Sequence, residues 1–214
     1  MDLSEFPFSS GPLLLIVSGP AGSGKTTLVN GMMTRFAGRL QRVITATTRP
    51  PRAGERDGMD YHFLDRATFA SQVAATAFYE WATVHGHCYG TLKNAVNSPL
   101  RSGMNLILNI DVQGAATFRR VASTGAIPGQ LVSIFITPPN LDELRRRMGK
   151  RGLDEQTTIE KRLYNAKLEI AAAREYDYGI PSRSPQEDLD AASAIYQAEL
   201  RRICPATGST ASYK

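Results

Sequence analysis

The chain has little cysteine and little histidine. Its two cysteines, Cys88 and Cys204, lie far apart and form no CxxC or metal-ligand spacing. That argues against a disulfide scaffold or a zinc ribbon and reads as free thiols in a reducing compartment, with the cytosol as the expected location. The three histidines, His62, His85 and His87, make no metal constellation. His85 and His87 are expected on one face of a strand, with no third ligand in view. No apolar run approaches the roughly 18 residues that a bilayer crossing needs. The opening Met1-Asp2-Leu3-Ser4-Glu5 is acidic and polar, unlike a signal or transit peptide. Internal repeats and low-complexity tracts are also missing.

At 214 residues, with 42% hydrophobic and 21% charged residues, the composition is that of a globular domain able to bury a core. A net charge of +5 raises the question of nucleic acid. The positive charge gathers at Arg49 and Arg52, and again from Arg145-Arg146-Arg147 to Arg151. Discrete clusters of this kind suit small phosphorylated ligands as well as a polyphosphate backbone. Composition leaves both open.

The strongest local signal is Gly19-Pro20-Ala21-Gly22-Ser23-Gly24-Lys25-Thr26, set directly after Leu13-Leu14-Leu15-Ile16-Val17-Ser18. It fits strand–GxxxxGK[ST]–helix. Glycines let the backbone turn tightly and aim N–H groups into one concavity that collects phosphate oxygens. Lys25 can reach the β- and γ-phosphates, and the Thr26 hydroxyl can ligate Mg²⁺. The following helix, which takes in Thr27, adds the positive end of its dipole. A nucleoside triphosphate is therefore the expected ligand.

Leu28, Val29, Met32, Met33 and Phe36 mark one face of that helix, closed near Gly38. A strand is expected over 42–46, then an exposed loop stiffened by Pro50 and Pro51. Strands over 61–63 and 77–84 flank a short helix at 65–75. Buried strands are expected over 105–111 and 131–136. Three helices follow, marked by Leu141, Leu144 and Met148, by Ile159, Leu163, Ala166, Ile170 and Ala173, and by Leu189, Ala192, Tyr196, Leu200 and Ile203. Buried strands alternating with helices imply an α/β fold: a three-layer parallel sheet with helices on both faces. Residues 45–94 break the rhythm with short, turn-rich strands. They read as an inserted small mixed-β lobe where a second substrate would sit.

The segment TATTRPPRAGERDGMDYHF, residues 45–63, resembles the GMP-binding segment of guanylate kinases. The likeness continues through Glu80-Trp81, Tyr89-Gly90-Thr91, Ile110-Asp111-Val112-Gln113-Gly114, and Arg151-Gly152 to Lys161-Arg162-Leu163, and covers most of residues 13–177. The resemblance implies transfer of the γ-phosphoryl group of Mg·ATP to GMP. It also implies one domain over 1–204, with a core at about 11–44, 95–140 and 163–204. The GMP-binding lobe would occupy about 45–94 and a helical lid about 141–162, ahead of a disordered tail at 205–214. Substrates would be small molecules, with neither nucleic acid nor membrane as partner. Monomer and homodimer stay equally open.

Arg49 and Arg52 stand three apart across a rigid Pro-Pro, so both guanidinium forks can converge on one phosphate dianion. By resemblance, Tyr61 and Tyr89 donate hydroxyl hydrogen bonds to the same group. Glu80 is the expected reader of guanine, because a carboxylate accepts N1–H and the 2-amino group together. Strand alternation puts Glu80 on one face with Phe78, Ala82 and Val84; a charge protecting a sheet edge would look the same. Thr45 and Thr91 stand where the family places hydroxyl residues that contact the base. Asp111 ends a buried strand, where open α/β sheets meet ligands; it holds the base by resemblance, or simply caps the next helix. Arg151 and Arg162 match lid arginines that, with Lys25 and Arg49, would neutralise charge spreading over the transferred group. An ordinary solvated helix surface would also explain them.

Two places depart from the family. Asn109 stands where an acid is usual, and Pro181-Ser182-Arg183 replaces a Val-Asn-Asp that lies near adenine, so no adenine contacts carry over. Three rival readings share the P-loop. The first is a kinase for another phosphorylated acceptor such as a ribose bisphosphate, against which stand Glu80, Thr91 and the 45–63 segment. The second, a phosphopeptide-binding module, is disfavoured by intact Lys25 and Thr26. A nucleic-acid NTPase is the third, and no motor or RNA-binding element supports it.

Overall fold

The computed structural model describes residues 11–84, 86–149 and 156–202, with the side chains of 148, 149 and 156–162 outside the description. The expectations for Arg151, His85, Cys204 and the tail at 205–214 thus lie outside the described residues, as does the side chain of Arg162.

Five parallel strands form the main sheet in the order β2 (Leu40–Arg42), β7 (Asn105–Asn109), β1 (Leu13–Ser18), β8 (Gln130–Thr137), β9 (Tyr178–Pro181). The central β1 is apolar at nearly every position because both of its faces are covered. Leu13, Leu15 and Val17 pack towards α1 (Lys25–Arg35) and α7 (Pro185–Glu199), while Leu14 and Ile16 pack towards α3 (Lys93–Arg101) and α4 (Val112–Ala122). Alternation along one strand thus feeds two cores and makes three layers.

A second, four-stranded sheet is built wholly from residues 46–92. Its order is β4 (His62–Phe63), β3 (Ala46–Thr47), β6 (His87–Leu92), β5 (Phe78–Val84), and α2 (Arg66–Ala74) covers it through Phe69 stacked on Phe78. Tyr79 ties this sheet to the main one: its ring lies 5.1 Å from that of Phe118 on α4, and its hydroxyl bonds Asn97 on α3. Helices α5 (Leu141–Gly149) and α6 (Gln156–Ala171) meet through Leu144, Leu163 and Ala166.

Several expectations change. The strand expected over 42–46 is two pieces in different sheets: β2 ends at Arg42 and β3 starts at Ala46. Val43–Thr45 is where the chain crosses from one sheet to the other, so β-branched composition there did not mean one strand. Val84 and His87 face each other across the β5–β6 turn, so His87 opens a new strand. Helix α7 ends at Glu199, short of Ile203. The sequence reading omitted α3, β6 and β9, and carried α4 only as the helix that Asp111 would cap. In α3, Asn94, Asn97, Ser98 and Pro99 hide a helix whose buried side is only Val96 and Leu100.

Candidate active site

The phosphate loop grows out of β1. Gly19, Gly22 and Gly24 take φ of 145°, 85° and 104°, angles that L side chains rarely adopt. A Cβ at Gly19 would stand 2.0 Å from the Ile136 carbonyl oxygen, so the loop can cross β8 only as glycine. Gly24 is the N-cap of α1 and offers no side-chain cap, which leaves the first-turn N–H groups to bind an anion. The Lys25 ammonium folds back and donates to the carbonyls of Gly19 at 2.6 Å and Pro20 at 2.9 Å. Pro20, Ala21, Thr26 and Thr27 complete the loop and the start of α1.

The donors here suit Mg²⁺. The Thr26 hydroxyl sits at the exposed end of the loop, 3.4 Å from the Asn109 amide nitrogen, while Ser18 Oγ and Ser23 Oγ are buried without partners. Among the described residues there is no His/Cys/Asp/Glu cluster able to hold a metal by itself. A few hard oxygens and open space are what Mg²⁺ takes when it rides on substrate phosphates.

A cavity of about 450 Å³ adjoins the loop, bounded by Gly22, Gly24, Thr27 and Leu28, by Glu143, Arg146 and Arg147 of α5, and by Ser182–Pro185 and Asp188. Its polar wall is tied together. Glu143 accepts from Arg146 and Arg147, which hold its carboxyl down at about 2. Arg147 donates to Ser182 Oγ at 2.9 Å, and Ser182 Oγ donates to Asp188 Oδ2 at 2.7 Å.

A second cavity, of about 220 Å³, lies between the two sheets and is lined by Thr45, Tyr61, Glu80, Ala82, Val84, Tyr89, Gly90, Asn109, Ile110 and Asp111. Burial pushes the Glu80 carboxyl up; the hydrogen bond from Thr91 Oγ1, at 2.6 Å, works against this, and the charge of Asp111 across the cavity adds to it. Phe78 does not share that face. The β5–β6 register slips between Phe78 and Glu80, so Tyr79 is an extra residue in a bulge, and Phe78 turns to Phe69 in the other layer. The bulge aims Glu80 inward beside Ala82 and Val84.

Asp111 Oδ1 accepts from Gly114 N at 2.8 Å, so Asp111 caps α4 as well as lining the cavity. It also borders a third hollow with Asn165 and Glu169 of α6. Burial raises the Glu169 carboxyl, Lys25 opposes this, and Asp111 adds to it.

Arg49 lies over the rings of Tyr61 and Phe63 at 5.4 and 5.8 Å, and Tyr61 meets Tyr89 edge-on at 6.2 Å. Glu55 holds its guanidinium in a two-pronged bond and takes the Arg52 amide at 2.7 Å, which lowers the Glu55 carboxyl to about 2. The Arg52 side chain is exposed and outside the cavity wall. Thr45, Tyr61, Glu80, Tyr89, Thr91 and Asp111 therefore come together, with Arg49 at the Tyr61 end.

Sequence reasoning missed Glu55, Glu169 and the Arg147–Ser182–Asp188 chain. Ser184-Pro185-Gln186-Glu187 carries a usable signal, an N-cap three before a glutamate with proline at the first turn. That fixes the start of α7 and hence the place of Asp188. Glu55, six residues past Arg49 beyond two prolines, had none.

A parallel sheet with a phosphate loop at the carboxyl end of its first strand, facing a second polar cavity, defines a P-loop phosphotransferase. Residues 12–198 match the family described as Guanylate kinase. The chain is 43% identical over 167 residues to the guanylate kinase of Polaromonas sp., covering 78% of each chain. To that of Alkalilimnicola ehrlichii it is 42% identical over 190 residues, covering 89% of this chain and 90% of the relative. The crystal structure of guanylate kinase from Anaplasma phagocytophilum superposes with a TM-score of 0.73 at 31% identity, covering 94% of this chain and 93% of that one. The chain belongs to the guanylate kinase family, and its reaction is the ATP-dependent phosphorylation of GMP to GDP.

Proposed function

We propose that the two cavities divide the substrates of this reaction. Mg·ATP lies along Gly19–Thr27 with its base in the cavity beside Ser182, and GMP lies between the sheets. One observation carries the reading: Asn109 both touches Thr26 of the phosphate loop and lines the inter-sheet cavity, so the two pockets meet at one strand end.

In this arrangement Glu80 accepts N1–H and the 2-amino group of guanine, with Thr91 fixing its carboxylate and Thr45 and Asp111 closing the pocket. Arg49, Tyr61 and Tyr89 hold the GMP phosphate, and Arg52 swings in from its exposed loop. Lys25 leaves the loop carbonyls for the β- and γ-phosphates. Thr26 would hold Mg²⁺, with Asn109 touching its water shell; the ion supplies charge neutralisation and alignment of the phosphates. Arg151 and Arg162 belong to a lid over 141–162 that excludes water when it closes. A GMP phosphate oxygen then attacks in line, needing no side-chain nucleophile. Residues 45–94 form the acceptor lobe on a core of 11–44, 95–140 and 163–204. A reaction fed by ATP, and Cys88 as a free thiol, suit a cytosolic setting.

The test is ADP release from Mg·ATP with GMP, dGMP, AMP, CMP and a ribose bisphosphate offered in parallel. Turnover confined to the guanine acceptors supports the reading. Equal turnover with AMP would remove Glu80 as the reader of the base.

A further inference from the structure

We propose that Tyr79 is a positioning residue for the acceptor base: its anchorage in the main core fixes how far Glu80 stands from Asp111 across the inter-sheet cavity, and so sets the affinity for GMP. This rests on the reading that Glu80 accepts the guanine edge.

Three consecutive residues of β5 serve three different places. Phe78 stacks on Phe69 at 4.6 Å, inside the core of the small sheet. Glu80 lines the cavity. Tyr79, between them, packs against the main-sheet core around Leu14, Ile16 and Phe118. A regular strand has two faces and cannot send three neighbours three ways. The slip in pairing between Phe78 and Glu80 supplies the third direction. Among the described residues of the small sheet, Tyr79 is the only one whose side chain enters that core cluster.

The same contact reaches the opposite wall. The Tyr79 ring lies 5.1 Å from that of Phe118, which is fully buried on α4. Phe118 stands about two turns along α4 from Asp111, the N-cap that lines the far side of the cavity. One helix thus joins the ring under Tyr79 to the carboxylate facing Glu80. The Tyr79 hydroxyl donates to Asn97 Oδ1 on α3, with the Ala126 carbonyl oxygen 3.4 Å away. Tyr79 is held from two helices of the core, and Glu80, its neighbour in sequence, is left little freedom to move against Asp111.

That restraint has work to do. Glu80 and Asp111 are like charges on one cavity, and their repulsion tends to part the two walls. A pocket held at the width of the base binds it without losing binding energy to closure. A slack pocket binds it more weakly and turns it over at the same rate once it is seated.

The experiment is steady-state kinetics on the whole chain with Mg·ATP and GMP, comparing Tyr79→Phe, which keeps the ring on Phe118 and removes the tether, with Asn97→Ala. Each should raise the KM for GMP about fivefold, the effect of one hydrogen bond. The kcat at saturating GMP and the KM for ATP should stay within about twofold. The double variant should do no more than either single one, because both remove the same bond. In a Glu80→Gln background the effect of Tyr79→Phe on that KM should shrink below about twofold. An unmoved KM for GMP in folded Tyr79→Phe, with Glu80→Gln still raising it, overturns the inference and leaves the reading of Glu80 standing. An equal rise in the KM for ATP overturns it too, since it marks a loosened fold. If Tyr79→Phe does not fold, as judged by its thermal midpoint, Asn97→Ala carries the same outcomes. If Glu80→Gln changes neither the KM for GMP nor the preference over AMP, the underlying reading falls and the inference with it.

Discussion

Glu55 grips Arg49 end-on, with Oε2 2.8 Å from Nη1 and Oε1 2.9 Å from Nη2. Pro50 O takes a further bond from Nη1 at 2.8 Å. A guanidinium has two forked edges, and this grip leaves the Nε–Nη2 edge for a phosphate. Glu55 and a bound phosphate can thus share Arg49 without competing. Because Arg49 holds the Glu55 carboxyl at about 2, the grip is fully present above the ordinary carboxylate range and is lost only as pH falls towards 2.

Glu55→Gln should raise the KM for GMP about tenfold with a smaller change in kcat, since a slack arginine weakens binding before it slows transfer. Glu55→Asp should recover part of the loss. A lower KM in Glu55→Gln would show that Glu55 blocks the phosphate site instead of preparing it.

The guanine pocket should titrate. Only the ionised Glu80 accepts two donors, and burial raises its carboxyl above the ordinary value. The KM for GMP should therefore start to climb, as pH is lowered, before an exposed carboxylate would protonate. Glu80→Gln should flatten that acid limb and erode the preference for GMP over AMP. For stability the sign is opposite: a raised carboxyl favours the protonated native state, so its contribution declines as pH rises through the same interval.

Lys25→Ala should lower kcat by two to three orders of magnitude, about the effect of losing one fixed charge on the transferred group. The thermal midpoint, followed in the same preparation, separates loss of the charge from loss of the fold. Circular dichroism and ADP release, measured side by side, decide it.

Gly90→Ala tests the bulge. A Cβ there would stand 2.8 Å from Phe78 Cδ1 and 2.9 Å from both Glu80 O and Trp81 Cβ, so β5 would have to move off β6. The cost should be about 1–3 kcal/mol in chemical unfolding. Because Glu80 rides on the displaced strand, the KM for GMP should rise as well. Loss of stability with an unchanged KM would mean that the bulge does not set the position of the carboxylate.

What the sequence made legible follows from the range of each interaction. The phosphate loop could be read because glycine at 19, 22 and 24 answers a local need for positive φ, and local needs leave local marks. Leu13–Val17 could be read because burial on both faces leaves an unbroken apolar run. The face of Phe78 could not, since a one-residue slip in pairing is settled by the partner strand. The crossing at Val43–Thr45 failed for a similar reason: the same β-branched residues serve two sheets. Likewise, Asp188 takes its meaning from Ser182 and Arg147, and Arg147 lies 35 residues from Ser182 along the chain.

The main sheet sets a timetable for its own completion. Residues 46–92 close the small sheet over a short stretch of chain, whereas the large one waits for β9 at residues 178–181. Gly19 needs the backbone of Ile136 beneath it, and the cavity beside it needs Ser182. During synthesis the phosphate loop therefore leaves the ribosome well before the segments that let it hold a nucleotide.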